Sequence, residues 1–323
     1  MHLDQHGFCE PRWFEGIACR GVLRAAPGDF RVEEKLDFDP SGDGEHLLLY
    51  VEKCGANTQY VAEELARCFQ VDKVDVGFAG RKDRHAVTRQ WFSVHTPLHP
   101  SEVRDVAGDQ WRVLKTTRHA RKLRPGQLQG NQFRLCLRAV EGDREKIDAR
   151  LDSLHNQAVP NYFGPQRFGH DRSNIGRAWA WLATPRRARV KTFTKGLHLS
   201  VARAHLFNAV VTARVSAGNF AQPLPGDVLI EGAPTAPLWG RGHSATQGSA
   251  LAIEQAALAP LREWLEPLEH VGLSQERRAL VMRAVGLSWT WPAEDEIVLE
   301  FFLPRGQYAT SLIRELGEFQ EPG

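Results

Sequence analysis

A chain of 323 residues with 42% hydrophobic and 25% charged residues has apolar content for one large domain or two ordinary ones. No run approaches the about eighteen consecutive apolar residues of a membrane-spanning helix, and Met1-His2-Leu3-Asp4-Gln5-His6 lacks the basic-then-apolar order of an export signal, so a soluble cytoplasmic protein is expected. The five cysteines, Cys9, Cys19, Cys54, Cys68 and Cys136, are odd in number and form no Cys-x-x-Cys pair, which argues for reduced thiols and against a structural zinc.

In chain order, Asp29 to Leu36 and His46 to Glu52 read as strands, joined through the turn signal Pro40-Ser41-Gly42-Asp43-Gly44. Asn57-Thr58 then caps a helix whose Val61, Leu65 and Cys68 lie at helical spacing. Val74 to Phe78 and Val87 to Val94 are the next strands, so Gly80 to Ala86 is an exposed connection of the kind on which catalytic groups favour sitting. It carries one carboxylate, Asp83, among Arg81, Lys82 and Arg84; cations beside a carboxylate favour its charged form, which suits a nucleophile. Taken alone, a Lys-Asp-Arg turn is usually an ordinary solvated charge cluster, and only the rest of the chain raises the catalytic reading.

Phe133, Leu135 and Leu137 alternate with Arg134, Cys136 and Arg138, giving a strand with one apolar and one basic face. Asp143 opens a helix with Ile147, Leu151 and Leu154 on one side, and a boundary falls near Val159-Pro160. Beyond it, Ser200 can cap a helix running through Phe207 and Val211 to a stop at Gly218, and the Gly/Pro-rich stretch from Pro223 to Gly248 reads as loops or short strands. Strand character returns over Glu296 to Leu303, and Ala309 to Leu316 is helical. The pattern predicts a mixed α/β (α+β) chain in which residues 1–159 together with 283–323 form one domain and 160–282 an inserted one.

The net charge of +2 conceals a strong polarisation. No acid lies between Asp109 and Glu141, where there are eight cations, or between Asp171 and Asp227, where there are nine. Such zones suit a polyanion, although any single charge run is more often a solvated face. Arg118, Arg121, Lys122 and Arg124 in the first zone and Arg186, Arg187, Arg189 and Lys191 in the second are the candidate phosphate contacts. Among the interleaved aromatics, Trp179 and Trp181 lie two apart and cannot share one helix face.

Several motifs, in order over nearly the whole chain, resemble the tRNA pseudouridine synthase D (TruD) family. They are Pro27-Gly28-Asp29-Phe30-Arg31-Val32-Glu33-Glu34, Gly80-Arg81-Lys82-Asp83-Arg84-His85-Ala86, Gly130-Asn131-Gln132-Phe133, Val159-Pro160-Asn161-Tyr162-Phe163-Gly164-Pro165-Gln166-Arg167-Phe168-Gly169 and Leu303-Pro304-Arg305-Gly306-Gln307-Tyr308. The resemblance implies a pseudouridine synthase fold with a mixed, largely antiparallel sheet plus an inserted TruD-specific α/β domain. It further implies isomerisation of uridine to pseudouridine at position 13 in the D arm of tRNA, with no metal or other cofactor. Asp83 matches the family's catalytic aspartate, Arg24 a position that holds its charge partner, and Phe30, Asn131, Phe133 and Tyr308 its substrate pocket. Tyr308 departs from the family's usual Phe. The expected partner is tRNA, with no membrane association and a monomeric state.

A tRNA-binding or tRNA-folding protein that keeps the fold without catalysis is the other reading, against which the intact Asp83, Asn131 and Phe133 stand. A zinc deaminase would need His-x-Glu and Pro-Cys-x-x-Cys ligands that the chain lacks. A two-carboxylate hydrolase would need a second acid near Asp83, and Asp72 and Asp75 lie across a predicted strand.

Overall fold

The computed structural model describes residues 10–98, 100, 103, 106–184 and 192–322. The chain forms two compact units. One comprises Ala18–His155, Ala284–Gly306 and the stretch from Gly317 onwards; the other comprises the stretch ending at Ile17, Asn156–Arg283 and Gln307–Leu316. Residues 10–17 and 307–316 therefore associate with the middle of the chain, whereas the sequence pattern grouped them with its ends.

The first unit contains strands β1 (Cys19–Leu23), β2 (Phe30–Lys35) and β3 (His46–Lys53), helix α1 (Thr58–Cys68), then β4 (Val76–Phe78), β5 (Val87–His95), β6 (Ala107–Gly108), β7 (Trp111–His119), β8 (Gly130–Glu141) and helix α2 (Arg144–Asn156). The second unit follows with β9 (Val159–Pro160), α3 (Pro165–Phe168), α4 (Ser173–Leu182), α5 (Thr192–Ser216), β10 (Leu229–Ile230), β11 (Ala233–Leu238), α6 (Gly248–Leu258), α7 (Arg262–Glu269), β12 (Glu276–Ala279) and β13 (Val281–Met282). The chain then adds β14 (Val285–Ala293) and β15 (Glu296–Pro304) to the first unit, α8 (Ala309–Leu316) to the second, and β16 (Gly317–Gln320) to the first.

An 11-stranded sheet organises the first unit, in the order β14-β15-β8-β2-β5-β3-β7-β6, with β1 paired to β8 and β16, and β4 to β5. It is mixed and largely antiparallel: among the described residues only the β1–β16 and β2–β5 pairs of this sheet are parallel. The α1 helix starts as its sequence dictates, with Asn57 Oδ1 accepting from Tyr60 N at 2.8 Å, and its Val61 and Leu65 pack on Leu47, Leu49, Val51, Phe92 and Val94 of β3 and β5. Each such buried side chain contributes about 1.5–3 kcal/mol. The β8 strand lies at the centre, between β2 and β15, which brings Phe133 level with Val32 on one side and Phe301 on the other.

In the second unit, α5 runs from Thr192, so Ser200 lies inside the helix rather than at its cap. Leu199, Val201, Ala202, Ala204, Leu206, Phe207 and Val210 are all buried; the helix is apolar around most of its circumference, and packing on every side carries it past the Ser200 signal. Trp179 and Trp181 are both half-buried, against Trp264 and His198. Among the described residues no helix is long and apolar enough to cross a membrane.

Candidate active site

The loop between β4 and β5 is anchored at almost every residue. Gly80 O accepts from Gln90 Nε2 at 2.9 Å, and Lys82 N donates to Thr58 Oγ1 at 2.9 Å, whose hydroxyl donates in turn to Gln90 Oε1 at 2.8 Å. Lys53 Nζ donates to Asp83 O and to Ala56 O, both at 2.8 Å, while Gly55 N donates to Arg84 O at 3.1 Å and Arg84 Nε to Gly55 O at 2.8 Å. These contacts link the loop to β3, to the start of α1 and to β5. Within the loop, Asp83 Oδ1 accepts from His85 N at 3.1 Å, an Asx-turn that fixes the carboxylate against its own main chain.

The other carboxylate oxygen meets Arg24, whose Nη2 lies 2.8 Å from Asp83 Oδ2. Arg24 is nearly enclosed, its side chain 9% exposed, while Asp83 keeps 29% and remains reachable. Arg24 Nη1 also pairs with Glu321 at 2.7 Å, and its guanidinium stacks on the Phe30 ring at 4.1 Å from the centroid. The backbone of Arg24 adopts φ 63°, a left-handed conformation uncommon outside glycine, which lets β1 end and turn this side chain back toward the loop.

The cations expected to surround Asp83 act elsewhere. Lys82 Nζ forms a buried pair with Glu34 Oε2 at 2.5 Å, and Arg84 holds Gly55, so the ion-pair partner of Asp83 is Arg24, the residue that follows β1 and is distant in sequence. Glu34 also accepts from Trp91 N at 3.2 Å; burial pushes its carboxyl above the usual range, with Lys82 opposing.

Beside this pair, Phe30 and Phe133 meet edge to face at 6.1 Å, and Phe133 stacks on Phe301 at 5.4 Å. Phe133 is 7% exposed, so it serves the core and leaves only a margin of ring for a ligand. Asn131 lies two residues earlier on β8, on the same face by strand alternation and level with Glu34 on β2. Its Oδ1 is hidden from solvent, and no donor among the described residues reaches it. A buried acceptor without a partner marks a place where a ligand N–H fits. Asp83, Arg24, Phe30, Asn131 and Phe133 thus all belong to the first unit. A cavity of about 240 Å³ in the same unit is lined by Arg31, Val32, Glu33, Val87, Arg89, Gln132, Phe133, Arg134 and Glu300, so it borders Phe133 as well as the charged positions around it.

Tyr308 belongs to the second unit. Its hydroxyl accepts from Arg167 Nη2 at 2.7 Å and its ring tilts against Phe163 at 5.7 Å. The departure from phenylalanine thus has a structural use, as an acceptor for the arginine of the Asn161-to-Gly169 motif. Arg278 stacks over Phe163 at 3.6 Å from the ring centroid in the same cluster, and burial lowers its pKa to about 9.

The basic zones divide into cations that build the fold and cations that remain free. Arg118 donates to the carbonyls of Gly44, Thr96, Pro97 and Leu98, and Lys122 to that of Val74, so both stitch loops together. Arg121 and Arg124 are exposed, with no side-chain partner among the described residues. Arg186, Arg187, Arg189 and Lys191 lie outside the described residues. In the second zone Arg214 forms a buried pair with Asp227 at 3.0 Å, and Arg203 meets Glu276 at 3.3 Å. Among the described residues no group of three His, Cys, Asp or Glu is arranged to hold a metal ion.

The family model tRNA pseudouridine synthase D (TruD) matches residues 13–178 and 230–316. A tRNA pseudouridine synthase D of Methylococcus capsulatus is 41% identical over 100% of this chain and 98% of its own length. That of Cellvibrio japonicus is 44% identical over 95% and 92%. The crystal structure of a Methanosarcina mazei protein assigned to tRNA pseudouridine synthase D superposes with a TM-score of 0.73 over 97% of both chains, at 21% identity, and so shares the fold. The chain belongs to the tRNA pseudouridine synthase D family.

Proposed function

We propose that this protein isomerises a uridine to pseudouridine in the D arm of tRNA, at position 13, with Asp83 as its single catalytic carboxylate. The reaction breaks the bond between C1′ of the ribose and N1 of uracil, rotates the base and rejoins it through C5, after which the C5 proton is lost to water. It is redox-neutral and needs no exchange of groups with a cofactor. Asp83 serves it either by covalent attack or by assisting elimination through the sugar; both require an ionised carboxylate close to the nucleoside. The observation that carries the reading is the 2.8 Å pair between Asp83 and the nearly enclosed Arg24, in which the acid stays reachable while its cation does not.

The pocket chemistry fits uracil. The partnerless Oδ1 of Asn131 suits an N–H of the base edge, and Phe30 and Phe133 offer apolar surface beside it. The target base must leave its stack, at a cost of a few kcal/mol by analogy with other base-modifying enzymes, which backbone contacts by Arg121 and Arg124 help to offset.

The test is tritium release from tRNA labelled at uridine C5, with the modified position mapped and Asp83→Ala as the control. Release from one D-arm uridine, lost in the variant, supports the reading. Tight tRNA binding by the wild type without any release leaves a non-catalytic tRNA-binding protein instead.

A further inference from the structure

Lys53 closes the inward-facing row of β3. Leu47, Leu49, Val51 and Lys53 alternate toward α1, and Lys53 is as enclosed as the leucines, at 1% exposure. Its ammonium donates to Ala56 O and Asp83 O at 2.8 Å and to Lys82 O at 3.5 Å, so its three N–H donors meet three neutral carbonyls. Among the described residues no carboxylate lies within ion-pair distance of it. An enclosed ammonium without an acid is costly, and an apolar residue there would serve the core better.

We propose that Lys53 is a positioning residue of the active site: it holds the main chain of Lys82 and Asp83 from beneath, fixes where the Asp83 carboxylate points, and places a second positive charge behind it. The inference rests on the reading that Asp83 performs the chemistry. The rest of the loop's anchoring falls on either side of Asp83: Gln90 at Gly80, Thr58 at the Lys82 amide, and Gly55 at Arg84. No other side chain among the described residues donates to Asp83 O. Without Lys53 the Asp83 peptide is free to rotate, and a small misplacement of a nucleophile lowers the rate of a positioned reaction steeply.

The same enclosure makes the device sensitive to pH. Burial lowers the ammonium's pKa to about 8, with the Asp83 charge pulling it up, Lys82 pushing it down and Cys54 pulling it up. Arg84, which holds Gly55, and the Lys82–Glu34 and Arg24–Asp83 pairs complete the charged surroundings. Once Lys53 loses its proton, two N–H donors serve three carbonyls and the charge behind Asp83 is gone. The rate therefore falls on the alkaline side.

The experiment measures single-turnover tritium release from C5-labelled tRNA at saturating enzyme, from neutral to alkaline pH, for wild type, Lys53→Met and Lys53→Gln. Filter binding of tRNA and circular dichroism accompany each protein. A wild-type rate that falls above about pH 8 is expected, with Lys53→Met slower by about 100-fold at neutral pH, lacking that alkaline limb and binding tRNA within about threefold of wild type. Lys53→Gln, which keeps a donor but no charge, recovers part of the rate and none of the limb. A folded Lys53→Met as fast as wild type, a rate loss matched by lost tRNA affinity, or a wild-type profile flat through this range would overturn the inference. Should Lys53→Met not fold, the wild-type profile decides. A wild type that releases no tritium at all brings down the reading of Asp83, and the inference with it.

Discussion

Arg24 shows how much one side chain is asked to do. It pairs with Asp83, pairs with Glu321, covers the face of Phe30, and holds a left-handed backbone to reach them. Replacing it removes the guanidinium beside Asp83 and the cation over the Phe30 ring at once. Arg24→Met is expected to slow single-turnover tritium release by about 10- to 100-fold, in the range seen when a preorganised charge partner is lost, with Arg24→Lys between it and wild type. A variant with an unchanged rate would leave Arg24 a structural residue only. At the same scale, cations on one strand-to-loop stretch separate by what their donors already hold. Charge reversal at Arg121 and Arg124 is expected to weaken tRNA binding and flatten its dependence on salt, because both are exposed and uncommitted. Arg118→Ala is expected instead to lower the melting temperature, since four carbonyls lose their donor, with the salt dependence of binding retained. Equal effects of the two changes on binding would contradict this division.

At the scale of elements, the site depends on strands that approach without room for side chains. Gly130 opens β8 immediately before Asn131, and a Cβ there would sit 2.2 Å from Leu303 O and 2.5 Å from the Phe302 ring. Gly130→Ala must push β8 away from β15, which moves Asn131 and Phe133 together. We expect a destabilisation of about 1–3 kcal/mol by urea unfolding and a loss of uridine affinity at least as large in proportion. Normal stability would mean that the two strands yield without strain. The Asp83 loop follows the same logic, because its conformation is imposed by Thr58, Gln90, Lys53 and Gly55.

Across the whole molecule, charge patterning in sequence maps poorly onto charge patterning in space. Two acid-free zones suggested clustered cations for a polyanion, yet Arg112 pairs with Glu52, Arg134 with Glu300, Arg138 with Asp29, and Arg214 with Asp227. Acids from distant segments are brought to these cations by folding; the Arg214–Asp227 pair is buried, whereas the Arg134–Glu300 pair lies on the surface. Division of the chain is likewise a tertiary matter. The short stretch at 307–316 belongs with the middle of the chain because α8 buries Ala309, Leu312, Ile313 and Leu316, and Ser311 Oγ donates to Tyr162 O.

Local patterns by themselves determined the strands over 30–35, 46–53, 87–95 and 296–304, the Asn57 cap of α1, the helix at 309–316, and the exposure of the Asp83 turn. Hydrophobic period, capping and turn chemistry act over a few residues and survive without tertiary context. Family resemblance marked Asp83, Arg24, Phe30, Asn131, Phe133 and Tyr308; the first five lie in one unit and Tyr308 in the other. Tertiary structure decided the rest. It made Arg24 rather than Lys82 or Arg84 the partner of Asp83, because an ion pair depends on distance in space, and β1 passes the loop while Lys82 turns inward to Glu34. It carried α5 past Ser200, because packing on all sides outweighs a cap. Lys53 had left a signal, a cation at the inward position of an otherwise apolar alternation, but only the fold shows that the Asp83 carbonyl lies above it.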